Sequence, residues 1–105
     1  MKFDCRLYVL VLSVEPLQIY LFKEGLARFS TYPYEKPDKK NLSNLYMHLT
    51  NYAINSKNTD VFEFNTDLQA VDQGHKRTFS SILEWILNNF EDGELRSKKM
   101  MNEIE

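Results

Sequence analysis

The chain has 105 residues, of which 43% are hydrophobic and 13% aromatic, enough for one packed domain and too few for two. Its net charge of −2 gives no bulk attraction to nucleic acid or anionic membranes, so nucleic-acid binding is not expected. The longest apolar run, Leu7 to Val14, is broken by Ser13 and falls far short of the roughly 20 residues that cross a bilayer.

Charges at Lys2, Asp4 and Arg6 stand where the apolar core of an export signal would begin. Cys5, the single cysteine, can form no internal disulfide, and its place in an apolar alternation suits a buried, unreactive thiol. A cytoplasmic protein without a membrane partner is the expectation.

In chain order, Lys2 to Leu12 alternates, with Lys2, Asp4, Arg6, Tyr8, Leu10 and Leu12 on one side and Phe3, Cys5, Leu7, Val9 and Val11 on the other, which predicts a strand. A turn signal at Ser13 to Pro16 leads into a second β-rich run, Leu17 to Phe22, that ends at Gly25, and Leu26 to Phe29 can add a short third segment. The start therefore reads as an antiparallel hairpin. Ser30 to Asn44, with Pro33 and Pro37, reads as a long loop. Leu45 to Ile54 fits either a short strand or an irregular segment, and Asn55 to Gly74 is undecided.

Phe79, Ile82, Leu83, Ile86, Leu87 and Phe90 recur at helical spacing, with Thr78 placed as N-cap. From Asp92 or Gly93 a charged stretch with Leu95, Met100, Met101 and Ile104 can line a second helix, whose partner is expected to lie beyond the chain. The fold class is α+β.

Lys2, Asp4 and Arg6 project from one face of the first strand, within about 7 Å of each successive neighbour. That face continues as Tyr8, Leu10 and Leu12, so the charged end is expected to open where the covered part of the sheet begins, a cleft mouth with cations for phosphate oxygens. A solvated surface is the alternative. His48 and His75 have no His or Cys at ligand spacing, so zinc is not expected. The three glycines, at 25, 74 and 93, form no phosphate-binding loop, and no G-x-S-x-G is present.

Taken in order, Lys2-Phe3-Asp4-Cys5-Arg6-Leu7-Tyr8-Val9-Leu10-Val11, then Tyr20 to Phe29, then His48-Leu49-Thr50-Asn51-Tyr52-Ala53-Ile54-Asn55, followed by Gly74-His75-Lys76-Arg77, resemble the tubulin tyrosine ligase-like family, in its polyglutamylase-like branch. The resemblance covers nearly the whole chain. It implies an internal part, residues 1–105, of an ATP-grasp catalytic domain holding Mg-ATP between two α+β lobes. The implied reaction adds glutamate to glutamate side chains of the tubulin C-terminal tail: ATP phosphorylates the acceptor carboxylate, and the amine of a free amino acid attacks the acyl phosphate.

Carried over by position, the resemblance assigns Lys2, Asp4, His48, Thr50 and Asn51 to ATP. Arg6 is placed near the phosphates and the reacting carboxylate, and Arg28 grips the incoming amino acid. Tyr52 and Lys76 complete that amino-acid site. An arginine that forks onto one carboxylate and a lysine for the other suit a dianionic substrate, so glutamate is favoured over glycine or tyrosine. Ala53 departs from the serine of many glutamate-adding members. The upstream lysines and the Mg²⁺ ligands of the family are expected outside the chain, which alone should not turn over. Tubulin tails or microtubules and free glutamate are the expected partners, and the cytoskeleton, with cilium or basal body, the expected location. A tubulin glycine ligase and a non-catalytic tubulin-binding module are the alternatives.

Overall fold

A computed structural model describes residues 1–64 and 74–104. β1 (Phe3–Val14) and β2 (Leu17–Phe29) form an antiparallel hairpin closed at Glu15 and Pro16, and α1 (Leu45–His48) and α2 (Tyr52–Asn55) are single turns. β3 (Lys76–Thr78) pairs with the free edge of β2, giving the antiparallel order β1-β2-β3, and runs directly into α3 (Phe79–Asn89) and then α4 (Gly93–Ile104).

The hairpin and the 30–44 loop follow the sequence, whereas β2 does not stop at Gly25. It runs through to Phe29, and the separate third segment is absorbed into it. Gly25 lies opposite Leu7, where a Cβ would come 2.5 Å from the Arg6 carbonyl oxygen. The missing side chain lets the strands close on each other rather than turning the chain. Leu45 to Ile54, ambiguous between strand and irregular segment, forms the two turns α1 and α2 around the extended Leu49. Of the undecided stretch 55–74, residues 65–73 lie outside the described residues.

Directly paired residues share a sheet face, which divides the site end of the sheet into two sets. Asp4, Arg6, Leu26, Arg28, Lys76 and Thr78 lie on one face. Phe3, Cys5, Ala27, Phe29 and Arg77 lie on the other, where the Phe3 and Phe29 rings stack at 5.5 Å and the Arg77 guanidinium sits 4.7 Å from the Phe29 ring centroid. This second face meets α3. Ala27, Phe79 and Ile82 are buried there, and a groove of about 1010 Å³ between Phe3, Phe29, Ile82, Trp85, Phe90 and Met100 continues beyond them.

Thr78 caps α3 as expected: its backbone is extended and its hydroxyl accepts from the Ser81 amide at 3.3 Å. Glu24 adds a tie from the sheet. Its carboxylate accepts from the Ser80 amide at 3.1 Å and the Ser80 hydroxyl at 2.6 Å, an acid at a helix N-terminus. Burial raises the Glu24 carboxyl, but the bonds from Ser80 and from the Gly25 amide outweigh it and leave the pKa below the ordinary value. The predicted apolar stripe of α3 is only half realised, with Phe79 and Ile82 buried and Leu87 and Phe90 exposed.

The expectation that the last helix finds no partner within the chain is corrected, because α4 packs on α3. A Cβ on Gly93 would lie 2.4 Å from the Ile86 carbonyl oxygen, so only glycine admits so close a start, and the Ser97 hydroxyl donates to the Leu83 carbonyl at 3.3 Å.

The expected continuation of the covered face along Tyr8, Leu10 and Leu12 is also corrected. The register shifts between Leu7 and Val9, and beyond it Leu10 and Leu12 on one side and Val9 and Val11 on the other are all more than half exposed. The chain exposes 8087 Å² in total, against about 6,200 Å² for a typical folded monomer of 12.5 kDa.

Candidate functional site

The three strands bring Asp4, Arg28 and Lys76 into one row: Asp4 pairs with Arg28, and Arg28 with Lys76. Arg28 Nε donates to Asp4 Oδ1 at 3.1 Å and Arg28 Nη2 to Asp4 Oδ2, a bidentate pair on the edge of the guanidinium. The Arg28 bond holds the Asp4 carboxyl below its ordinary value despite partial burial, and the same bond raises Arg28.

Lys2 anchors the neighbouring segment. Its Nζ donates to the His48 carbonyl at 2.7 Å, while its backbone exchanges two bonds with Ser30, the Lys2 amide to Oγ at 3.2 Å and the Ser30 amide to the Lys2 carbonyl at 2.9 Å. The His48 ring turns the other way, with Nε2 2.9 Å from the Asn41 carbonyl of the long loop. His48 thus reaches the Lys2 end through its backbone and the loop through its ring. Thr50 is buried beside Asp4, whereas Asn51 and Tyr52 are exposed at the start of α2.

Lys76 Nζ stands 5.8 Å from the Tyr52 ring centroid, so the two residues assigned to the amino-acid site meet although they lie far apart in the chain. Both line a small hollow of about 180 Å³ with Leu26, Phe62, Glu63, Phe64, Arg77 and Thr78. Arg6, on the same face as Asp4, is exposed with its guanidinium 5.3 Å from the Tyr8 ring, and no carboxylate among the described residues pairs with it.

Four supporting residues carry no sequence-based role. Asn55 is fully buried and uses its whole side chain: Oδ1 accepts from the Thr31 amide and hydroxyl, both at 2.9 Å, and Nδ2 donates to the Leu49 carbonyl at 2.8 Å and the Asn51 carbonyl at 3.1 Å. It fastens the Thr50-Asn51-Tyr52 segment to the end of β2. Thr31 receives a further bond from Asn58 Nδ2 at 3.1 Å, and Phe62 holds Tyr52 edge-on at 5.6 Å. His75 stacks on Phe62 at 5.4 Å, and its Nδ1 accepts from the Glu63 amide at 3.0 Å. Burial pushes the imidazole below the usual histidine value, with the Glu63 carboxylate acting weakly in the opposite sense. The only sign of Asn55 in the sequence is that it ends the His48-to-Asn55 block. Cys5 is half-buried, and burial raises its thiol, as expected of an unreactive cysteine.

Among the described residues no three His, Cys, Asp or Glu side chains gather to hold a metal ion, and no helix is long and apolar enough to cross a membrane. The site therefore offers cations on one sheet face, one carboxylate that orients an arginine, and a lysine over an aromatic hollow.

The whole chain, residues 1–105, matches the tubulin-tyrosine ligase family. It is 50% identical over 84 residues, 80% of its length, to "Probable beta-tubulin polyglutamylase" of Tetrahymena thermophila, of which it covers 7%. It is 49% identical over 79% of its length to human "Tubulin polyglutamylase TTLL11", covering 11%, and 41% identical over 99% of its length to Caenorhabditis elegans "Tubulin polyglutamylase ttll-11", covering 14%. The chain thus spans 7 to 14% of the length of these relatives. On the match along its full length, the chain belongs to the tubulin-tyrosine ligase family.

Proposed function

We propose that the chain is a part of an ATP-grasp ligase that uses ATP to add glutamate to glutamate side chains of the tubulin C-terminal tail. The names of relatives at 41 to 50% identity support the substrate class. The observation that carries the reading is the row in which Arg28 neighbours Lys76 and Lys76 stands over Tyr52: two adjacent cations, one of them lining a small hollow, suit an amino acid with two carboxylates.

In this reading Arg28 takes one carboxylate of the incoming amino acid as a fork, and Lys76 takes the other as a point charge. The hollow beside Tyr52 excludes bulkier side chains. The exposed Arg6, sharing a face with Asp4, offers charge to a transferring phosphoryl group. Lys2, Asp4, His48, Thr50 and Asn51 border the nucleotide. Phosphoryl transfer to the acceptor carboxylate gives an acyl phosphate, and attack by the amine forms the amide and releases phosphate. Mg²⁺ would neutralise phosphate charge when bound.

The test is incorporation of labelled glutamate into tubulin by the full-length protein with Mg-ATP. Arg28→Ala abolishes incorporation while nucleotide affinity, measured by calorimetry, stays within about twofold of the parent. Incorporation of glycine instead identifies a glycine ligase. If no amino acid is incorporated while tubulin is still bound, the chain belongs to a non-catalytic binding module.

A further inference from the structure

Among the described residues, Arg28 is held along one edge only. A guanidinium carries five N–H donors in a fixed plane and offers two forked faces, a side-on pair at Nε and one Nη and an end-on pair at Nη1 and Nη2. Asp4 occupies the side-on pair through both of its oxygens. Nothing among the described residues bonds Nη1, and the Arg28 side chain keeps 26% of its surface exposed. The end-on face is thereby available and its direction set.

Asp4 is itself fixed from two sides. It sits across the strand pair from Arg28, in a stretch of unbroken register from Phe3–Phe29 to Leu7–Gly25, and the buried Thr50 stands beside it. Thr50 in turn belongs to the segment clamped by Asn55 through Leu49 and Asn51. A chain of contacts thus runs from the buried Asn55 to the free face of Arg28. Without Asp4, a long arginine side chain on a half-open sheet face would sample many rotamers, and ordering it would be charged against ligand binding.

We propose that Asp4 is a positioning residue for Arg28: it grips the side-on edge of the guanidinium so that the end-on pair is presented, already aimed, to a carboxylate of the incoming amino acid. This rests on the ligase reading above and deepens it, because Asp4 then acts first on the amino-acid site, although sequence resemblance assigns it to the nucleotide. The carboxylate keeps lone pairs beyond those given to Arg28, so a contact to nucleotide is compatible with this role and secondary to it.

The experiment compares the full-length parent protein with Asp4→Asn, Arg28→Lys and the double variant, using tubulin, Mg-ATP and labelled glutamate. Asp4→Asn keeps the shape and one acceptor but loses the charged, two-oxygen grip. The expected result is a rise of about tenfold or more in KM for glutamate that exceeds any change in kcat or in nucleotide Kd. Arg28→Lys loses the fork and gives a similar rise.

The double variant is then no worse than Arg28→Lys alone, because both substitutions remove one linkage, a non-additivity that a purely structural role for Asp4 would not produce. Should Asp4→Asn fail to fold, Arg28→Glu paired with Asp4→Arg restores the ion pair in reverse. Recovered folding with glutamate use still lost supports the proposal, and recovered glutamate use overturns it. A parent that incorporates glutamate while Asp4→Asn weakens only nucleotide binding overturns the positioning role and leaves the ligase reading standing. A parent that incorporates no amino acid overturns the ligase reading, and this inference with it.

Discussion

From Phe3 to Leu7 the first strand pairs with Phe29 to Gly25, and from Val9 to Val14 the same strand pairs with Leu21 to Leu17. Both halves alternate well and both are hydrogen-bonded hairpin, yet only the first carries the row of Asp4 and Arg28 beside Lys76. Its β2 side gains a second neighbour in β3, buries Ala27 under α3 and takes Ser30 and Thr31 into the bonds of Lys2 and Asn55. The outer half has none of these, and its Val9, Leu10, Val11 and Leu12 face outward on both sides. A strand pair supplies direction, and fixed side-chain geometry comes from the third strand, the helix and the buried amide that surround it.

The comparison is broken most severely at Asn55. Asn55→Asp replaces two donors with charged oxygens facing the Leu49 and Asn51 carbonyls, and the expected loss is about 3 kcal/mol of stability, read by urea unfolding followed by circular dichroism. A loss well below 1 kcal/mol would show that the segment is held by something else.

At Gly25, alanine must move the Arg6 backbone, and about 2 kcal/mol of destabilisation is expected, while the same assay on Val11→Thr in the outer half changes stability by about 0.5 kcal/mol or less. Equal effects at the two positions would erase the distinction between the halves.

A smaller effect comes from pH. His75 accepts at Nδ1 and burial lowers its pKa in the fold, so the unfolded chain takes up its proton first as pH falls. Its contribution is complete above about pH 6.5, the value of an exposed histidine, and is lost as pH falls through the lower native value. His75→Asn, whose amide oxygen can accept the Glu63 amide, should flatten the dependence between neutral and mildly acidic pH; an unchanged slope would place its origin in another group. The smallest expected difference is in amide exchange, with Val9 to Ile19 exchanging faster than Asp4 to Leu7 in native conditions.

Periodicity alone found what is local. The alternation of residues 2–12 located β1, and the stripe from Phe79 with Thr78 as cap located α3 and its start, because strand and helix periods are properties of adjacent residues. The resemblance in Lys2 to Asn55 and Gly74 to Arg77 predicted the family that the whole-chain match bears out. The sequence ends the second β-rich run at Gly25 because an isolated glycine signals both a break and a close backbone approach, and only the position of the Arg6 carbonyl distinguishes them.

The hairpin start, the capped helix and the family were legible in the order of the residues. Tertiary structure alone decided that Asp4 occupies one edge of Arg28, that Lys76 reaches Tyr52 from a third strand, that Asn55 clamps the segment between them, and that α4 closes on α3. Those contacts join residues up to 24 positions apart, and their register is set by which strand edges and backbone groups meet in the folded chain, information that no local pattern carries.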